Sequence, residues 1–142
     1  MTDQRTQDII DEFDFLDDWE ERYRHVIELG KALAPLGEVE RNDANKVKGC
    51  VSQVWLVSET LPGTPPLINF RADSDAHIVR GLAALLIRLT TDRTAKDILA
   101  LDIKSVFGAI GLAENLSAQR SNGLGAMITR IKAEAQNALD AG

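Results

Sequence analysis

The stretch Val51-Ser52-Gln53-Val54-Trp55-Leu56-Val57-Ser58 alternates between two faces. Val51, Gln53, Trp55 and Val57 fall on one; Ser52, Val54, Leu56 and Ser58 fall on the other. Its β-branched and aromatic content suits a half-buried strand. Pro62-Gly63-Thr64-Pro65-Pro66 breaks the pattern, and Leu67-Ile68-Asn69-Phe70-Arg71-Ala72 resumes it. Two alternating runs joined by a short breaker predict an antiparallel hairpin. Upstream, Glu38-Val39-Glu40-Arg41 is a candidate leading strand, followed by an irregular turn at Asn42-Asp43-Ala44-Asn45. With it the sheet has three strands, enough to stand when helices pack against it.

Outward from the hairpin the chain reads as helical. Thr6 is placed to cap a short acidic helix edged by Ile9, Ile10 and Phe13. Asp17 or Asp18 caps a stronger one, whose face carries Trp19, Tyr23, Val26, Ile27, Gly30 and Leu33. The aromatics there read as core anchors, and Pro35 and Gly37 end the helix. After the hairpin, Asp73-Ser74-Asp75 offers three capping residues to a helix with Ile78, Val79, Leu82, Leu85, Leu86 and Leu89 on its apolar face. Gly81 inside it costs about 1 kcal/mol of propensity against Ala, which close packing would explain. Thr94 and Asp97 resemble a capping box. Asp102 caps a helix carrying Ile103, Val106, Phe107 and Ile110, with Gly111 at its end. Ser117 or Ser121 starts the last, with Leu124, Met127, Ile128, Ile131 and Ala135 on one face. The expected fold is α+β: a small three-stranded antiparallel sheet covered on one face by helices. At 142 residues the chain fits one domain, 1–142, with 1–12 and 139–142 peripheral or frayed.

Net charge is −6, which argues against a general nucleic-acid partner, since that needs a basic face. No apolar run approaches the ~20 residues of a membrane span, so no membrane is expected. The N-terminus lacks the basic start and apolar stretch of a secretory signal, so the expected location is cytoplasmic.

The sequence holds one cysteine, Cys50, preceded by Gly49 and neighboured by Arg41, Lys46 and Lys48. One cysteine rules out an intramolecular disulfide and the usual multi-cysteine metal sites. His25 and His77 show no ligand spacing, and no metal is expected. Free cysteine is among the most buried residue types, so an inert thiol is one reading. The other is a thiol presented on a turn, where nearby positive charge favours the thiolate over the ordinary pKa of about 8.5. A cysteine hydrolase would need His25 or His77 as base, and neither sits in a motif for it. Arg120-Ser121-Asn122-Gly123 near a helix start reads as a cap and turn, or as an anion contact.

Three segments together resemble the SufE family of sulfur-acceptor proteins: Asn45 to Trp55, Phe70 to Leu82, and Leu116 to Gly123 with Met127 and Ile131 following. Trp19-Glu20-Glu21-Arg22-Tyr23, then Leu29-Gly30, fits the family's helix before the sheet. The resemblance runs from about Phe13 to the end of the last helix. It departs at Ala118, where many members have proline.

The resemblance implies an IscU-like fold. It also implies that Cys50 takes persulfide sulfur from a SufS-type, PLP-dependent cysteine desulfurase and passes it to Fe–S assembly on a SufBCD-type scaffold. The PLP is the partner's, so no cofactor is expected on this chain. The family's cysteine loop is expected to tuck its thiol into an apolar cavity. Lys48, Gly49, Ser52, Gln53, Asp73, Ser74 and Arg120 are carried over as partner-binding or loop-positioning residues. Alternatives within the same likeness are a CsdE-like paralogue feeding tRNA modification and a non-catalytic IscU-like scaffold. The assembly is expected to be a monomer or homodimer.

Overall fold

The computed structural model describes residues 4–49 and 52–141. The two alternating runs form β1 (Val54–Leu61) and β2 (Leu67–Ser74). They pair antiparallel, from Val54 opposite Ser74 to Leu61 opposite Leu67. The third strand is not the expected one. Glu38–Glu40 is a 3₁₀ turn, and β3 (Arg93–Thr94) pairs with β2 instead, giving the order β1-β2-β3. Glu38–Arg41 has almost nothing apolar to bury, and Val39 is 88% exposed. Glu40 is drawn instead into an ion pair with Arg71 of β2. Short β3 is steered onto β2 by the Asp92 amide, which donates to Asn69 Oδ1 at 2.7 Å.

Seven helices flank the sheet among the described residues: α1 (Gln4–Asp14), α2 (Trp19–Ala32), α3 (His77–Thr90), α4 (Ala95–Ala100), α5 (Ile103–Ala109), α6 (Leu112–Asn115) and α7 (Ala118–Ala141). The caps at Asp18, Thr94 and Asp102 form as expected, each side chain accepting an amide of the first turn. Thr6 does not cap: α1 already includes Gln4, and Thr6 is buried within it. Nor is residue 4 onward peripheral, because Ile9 and Phe13 lie in the core. Glu12 ties α1 to its neighbours, pairing with His25 at 2.8 Å and Arg88 at 3.0 Å. Burial pushes the Glu12 carboxyl up, but these two partners outweigh it and hold the pKa below the ordinary value. At the other end, α7 stays helical through Ala141. None of these helices is long and apolar enough to cross a membrane.

The inward face of the sheet, Val54, Leu56, Ile68, Phe70 and Ala72, shares one core with Leu82, Leu85, Leu86 and Leu89 of α3 and Met127 and Ile131 of α7. Alternation along β1 and β2 puts these side chains on one side. Helix α2 crosses α3 at Gly30 and Gly81. A Cβ on Gly81 would lie 2.0 Å from the carbonyl oxygen of Val26, so backbone contact is what the glycine permits.

Candidate functional site

The segment before the cysteine folds back along the edge of β1. The Val47 amide donates to Val54 O, and the Leu56 amide donates to Asn45 O, both at 2.8 Å. Lys46 and Trp55 form the bridge between them. Between these rungs, Lys48 and Gly49 turn the chain away from the edge. Cys50, with Val51, lies outside the described residues, so the turn is defined by its flanks. Gly49 has φ +90, a left-handed conformation that favours glycine. An added Cβ there would meet Ala126 of α7 at 3.6 Å, ordinary contact; the backbone angle, not crowding, calls for glycine.

Among the described residues β1 begins at Val54, leaving Ser52 and Gln53 of the expected strand outside it; the expected Val51 lies outside the described residues. Gln53 leaves the ladder because its amide donates to Asp75 Oδ1 at 3.1 Å, while Asp75 N donates back to Gln53 O. Ser52 is half-buried and lines a cavity of about 120 Å³ with Val54, Ala76, Val79, Gln119, Arg120 and Gly123. Both flanks of the turn thus face the first half of α7. That helix starts one residue after Ser117, whose hydroxyl accepts the Arg120 amide at 3.3 Å. Ala118 occupies the first helical position, where proline is also well tolerated.

The cavity brings together Ser52 and Arg120 among the expected site residues. Lys48 and Gly49 are exposed on the turn. Asp73 and Ser74 do not line the cavity. They end β2 rather than capping a helix; α3 follows Ala76 without a side-chain cap, and Ser74 Oγ accepts the Ala76 amide at 3.2 Å. Asp73 is buried. It accepts from Leu36 N at 3.0 Å and Ser74 N at 2.8 Å, and it pairs with Arg80 and with Arg41 at 3.3 Å. Arg41 also donates to Leu36 O, so one of the three basic neighbours of the cysteine is engaged elsewhere.

Two further residues belong to the site's surroundings. Arg130 of α7 donates to Lys46 O at 3.2 Å and Ala44 O at 2.9 Å, clamping the approach to the turn. Tyr23 of α2 accepts a hydrogen bond from Arg120 at 2.8 Å. The sequence marks Arg130 only as a polar position on a helix, and Tyr23 sits on an apolar face that reads as core.

Comparison with known proteins fits this geometry. The family model described as SufE, Fe-S metabolism associated domain, matches residues 7–135. The chain belongs to the SufE family. An uncharacterized SufE-like protein of Rhizobium etli is 58% identical over 130 residues, covering 90% of this chain and 87% of the relative. One from Rhizobium meliloti is 54% identical over 134 residues, covering 94% and 96%. The solution structure of a hypothetical protein from Thermus thermophilus superposes with a TM-score of 0.77 over 99% of both chains, at 20% identity, and supports the fold. SufE membership supports a sulfur-transfer role in Fe–S metabolism and an interaction with a cysteine desulfurase.

Proposed function

We propose that this protein is a persulfide carrier that stimulates a SufS-type cysteine desulfurase. The observation that carries the reading is the placement of the chain's single cysteine within a SufE domain. In the sequence it lies between Gly49, which is left-handed, and Ser52, which lines a cavity beside α7. The Cys50 thiolate attacks the outer sulfur of the desulfurase persulfide. A new S–S bond forms on Cys50, the desulfurase S–S bond breaks, and the partner cysteine leaves as thiolate. The sulfur then passes to an acceptor of the Fe–S assembly machinery, of SufBCD type. This chain's own residues supply the thiol, the glycine turn and the docking contacts. Lys48, Ser52, Gln53 and Arg120 serve recognition, and Asp73 and Ser74 hold the backbone behind the turn. The PLP chemistry belongs to the desulfurase.

The test is mass spectrometry of the protein after incubation with a desulfurase and cysteine without reductant. The expected result is a gain of one sulfur atom, localised to Cys50 by peptide mapping, and loss of desulfurase stimulation in Cys50→Ser. Full stimulation by Cys50→Ser would remove the covalent relay.

A further inference from the structure

Phe15 is 85% exposed, yet the loop that carries it is held on both sides. The Leu16 amide donates to Phe13 O at 3.0 Å, and Arg22 Nε donates to Leu16 O at 3.1 Å. The Asp17 amide donates to Glu21 Oε2 at 3.1 Å, and Asp18 caps α2. Phe13 is in the core and Leu16 packs against it, so the loop turns these two inward and leaves Phe15 in water. A ring already fixed in place loses little freedom when a partner covers it. Asp14 and Asp17 flank it, both exposed. Among the described residues, neither side-chain carboxylate pairs with a cation or accepts a hydrogen bond.

The start of α2 holds the complement. Trp19, Tyr23 and Ile27 recur at helical spacing, are half-buried, and line a groove of about 380 Å³ with Glu20 and Arg24. A closed cavity of about 150 Å³ already holds a benzene ring, so the groove has room for an aromatic side chain. Trp19 and Tyr23 meet edge-to-face at 5.7 Å. Arg120 of α7 lies over the Tyr23 ring, 5.6 Å from its centre, and donates to Tyr23 Oη at 2.8 Å. Among the described residues, no carboxylate pairs with Arg24 or Arg120, and Glu20 makes no hydrogen bond to either. On a chain of net charge −6, two such guanidinium groups beside one aromatic groove are a local exception. Phe15 precedes Trp19 by four residues, so at most about 14 Å of chain separates the ring from the groove. Ring and groove are neighbours, and each supplies what the other lacks. A patch complementary to itself is the form that a two-fold interface takes. We propose that this face joins two copies of the chain: Phe15 of each seats in the α2 groove of the other, and Asp14 and Asp17 meet the guanidinium groups of Arg24 and Arg120. One ring in one groove, repeated by symmetry, lies at the small end of interfaces, so the dimer is weak. Nothing in this pairing depends on the sulfur chemistry.

The test is analytical ultracentrifugation of the full chain, with reductant present so that Cys50 cannot link two copies through a disulfide. The average mass should rise from monomer toward dimer between about 10 µM and about 1 mM. Phe15→Ala truncates an exposed side chain and leaves the core intact; it should weaken association at least about ten-fold. Arg120 also has the docking role proposed above, so the charge variant is made at Arg24. Arg24→Glu should weaken association about ten-fold at low salt, because symmetry repeats each contact, and high salt should weaken the parent. A chain that stays monomeric at about 1 mM overturns the proposal and leaves the groove to a different partner. A dimer that Phe15→Ala or Arg24→Glu leaves intact overturns it too, since the interface then lies elsewhere. A second measurement needs no variant: the Trp19 indole N–H signal should shift on dilution by NMR, and that of Trp55 on β1 should not. A Trp19 signal that stays put while the mass changes overturns the assignment of this face.

Discussion

The carboxylate of Asp73 is 4% exposed and meets four groups: the amides of Leu36 and Ser74 and the guanidinium groups of Arg80 and Arg41. Arg80 is only 14% exposed and also donates to the carbonyls of Gly30 and Leu33. Removing one partner of a buried pair leaves the other charge uncompensated, at a typical cost of 3–5 kcal/mol. The two carbonyls still solvate Arg80, so the lower end applies. Asp73→Ala should lose about 3 kcal/mol in urea unfolding, and Asp73→Asn, which keeps an acceptor, about half that. A loss below about 1 kcal/mol in Asp73→Ala would show that the cluster does not join β2 to α2 and α3. In the sequence, Asp73 stands out as one of three capping residues and, through the family resemblance, as a loop-positioning residue. Its strongest partners lie 37 and 7 residues away, Leu36 and Arg80, and no local pattern announces that pairing.

At the scale of elements, the sequence is most legible where the signal is local. The hairpin follows from neighbours two residues apart, and the caps at Asp18, Thr94 and Asp102 and the apolar faces of α2, α3 and α7 from neighbours three or four apart. The third strand fails for the opposite reason. β3 is two residues long, and tertiary hydrogen bonding at Asn69 and Asp92 selects it. Gly81 is an intermediate case: its helix-propensity cost is readable, but its cause is contact with α2. Gly81→Ala would place Cβ 2.0 Å from Val26 O, against backbone that cannot swing aside. The expected loss is about 3 kcal/mol, at the upper end for overpacking. Gly125 on α7 meets nothing within 4 Å of an added Cβ, so Gly125→Ala should stabilise by up to about 1 kcal/mol. Thermal melts of the two variants should move in opposite directions. A melt of Gly81→Ala at or above that of the parent would mean that α2 and α3 do not cross at this point.

Across the whole molecule, the cysteine turn depends on elements far apart in the chain. Its flanks rest on β1 through Val47 and Leu56, and on α7 through Ala126, Gly123 and Arg120. The sequence points to the turn through Gly49 and Cys50, and to Arg120 through a local cap-or-anion reading and its likeness to a family. It does not show that α7 carries the turn, because a helix's long-range contacts leave no period of their own. Arg130 makes this dependence testable. Its guanidinium donates to Ala44 O and Lys46 O from one side while Glu134 holds it at 2.9 Å from the other. Arg130→Gln should loosen residues 44–47 from α7 without touching β1 itself. Charge-assisted bonds of this kind contribute about 1.5–3 kcal/mol each when buried, and less at partial exposure. A local loss of about 1.4 kcal/mol corresponds to about ten-fold faster amide exchange. The reporters are the Val47 and Leu56 amides, which pair this segment to β1. Both should exchange about ten-fold faster in Arg130→Gln, with amides in the middle of α3 unchanged. Uniform acceleration would indicate global destabilisation, and no acceleration at Val47 would show that β1 alone holds the approach to the cysteine.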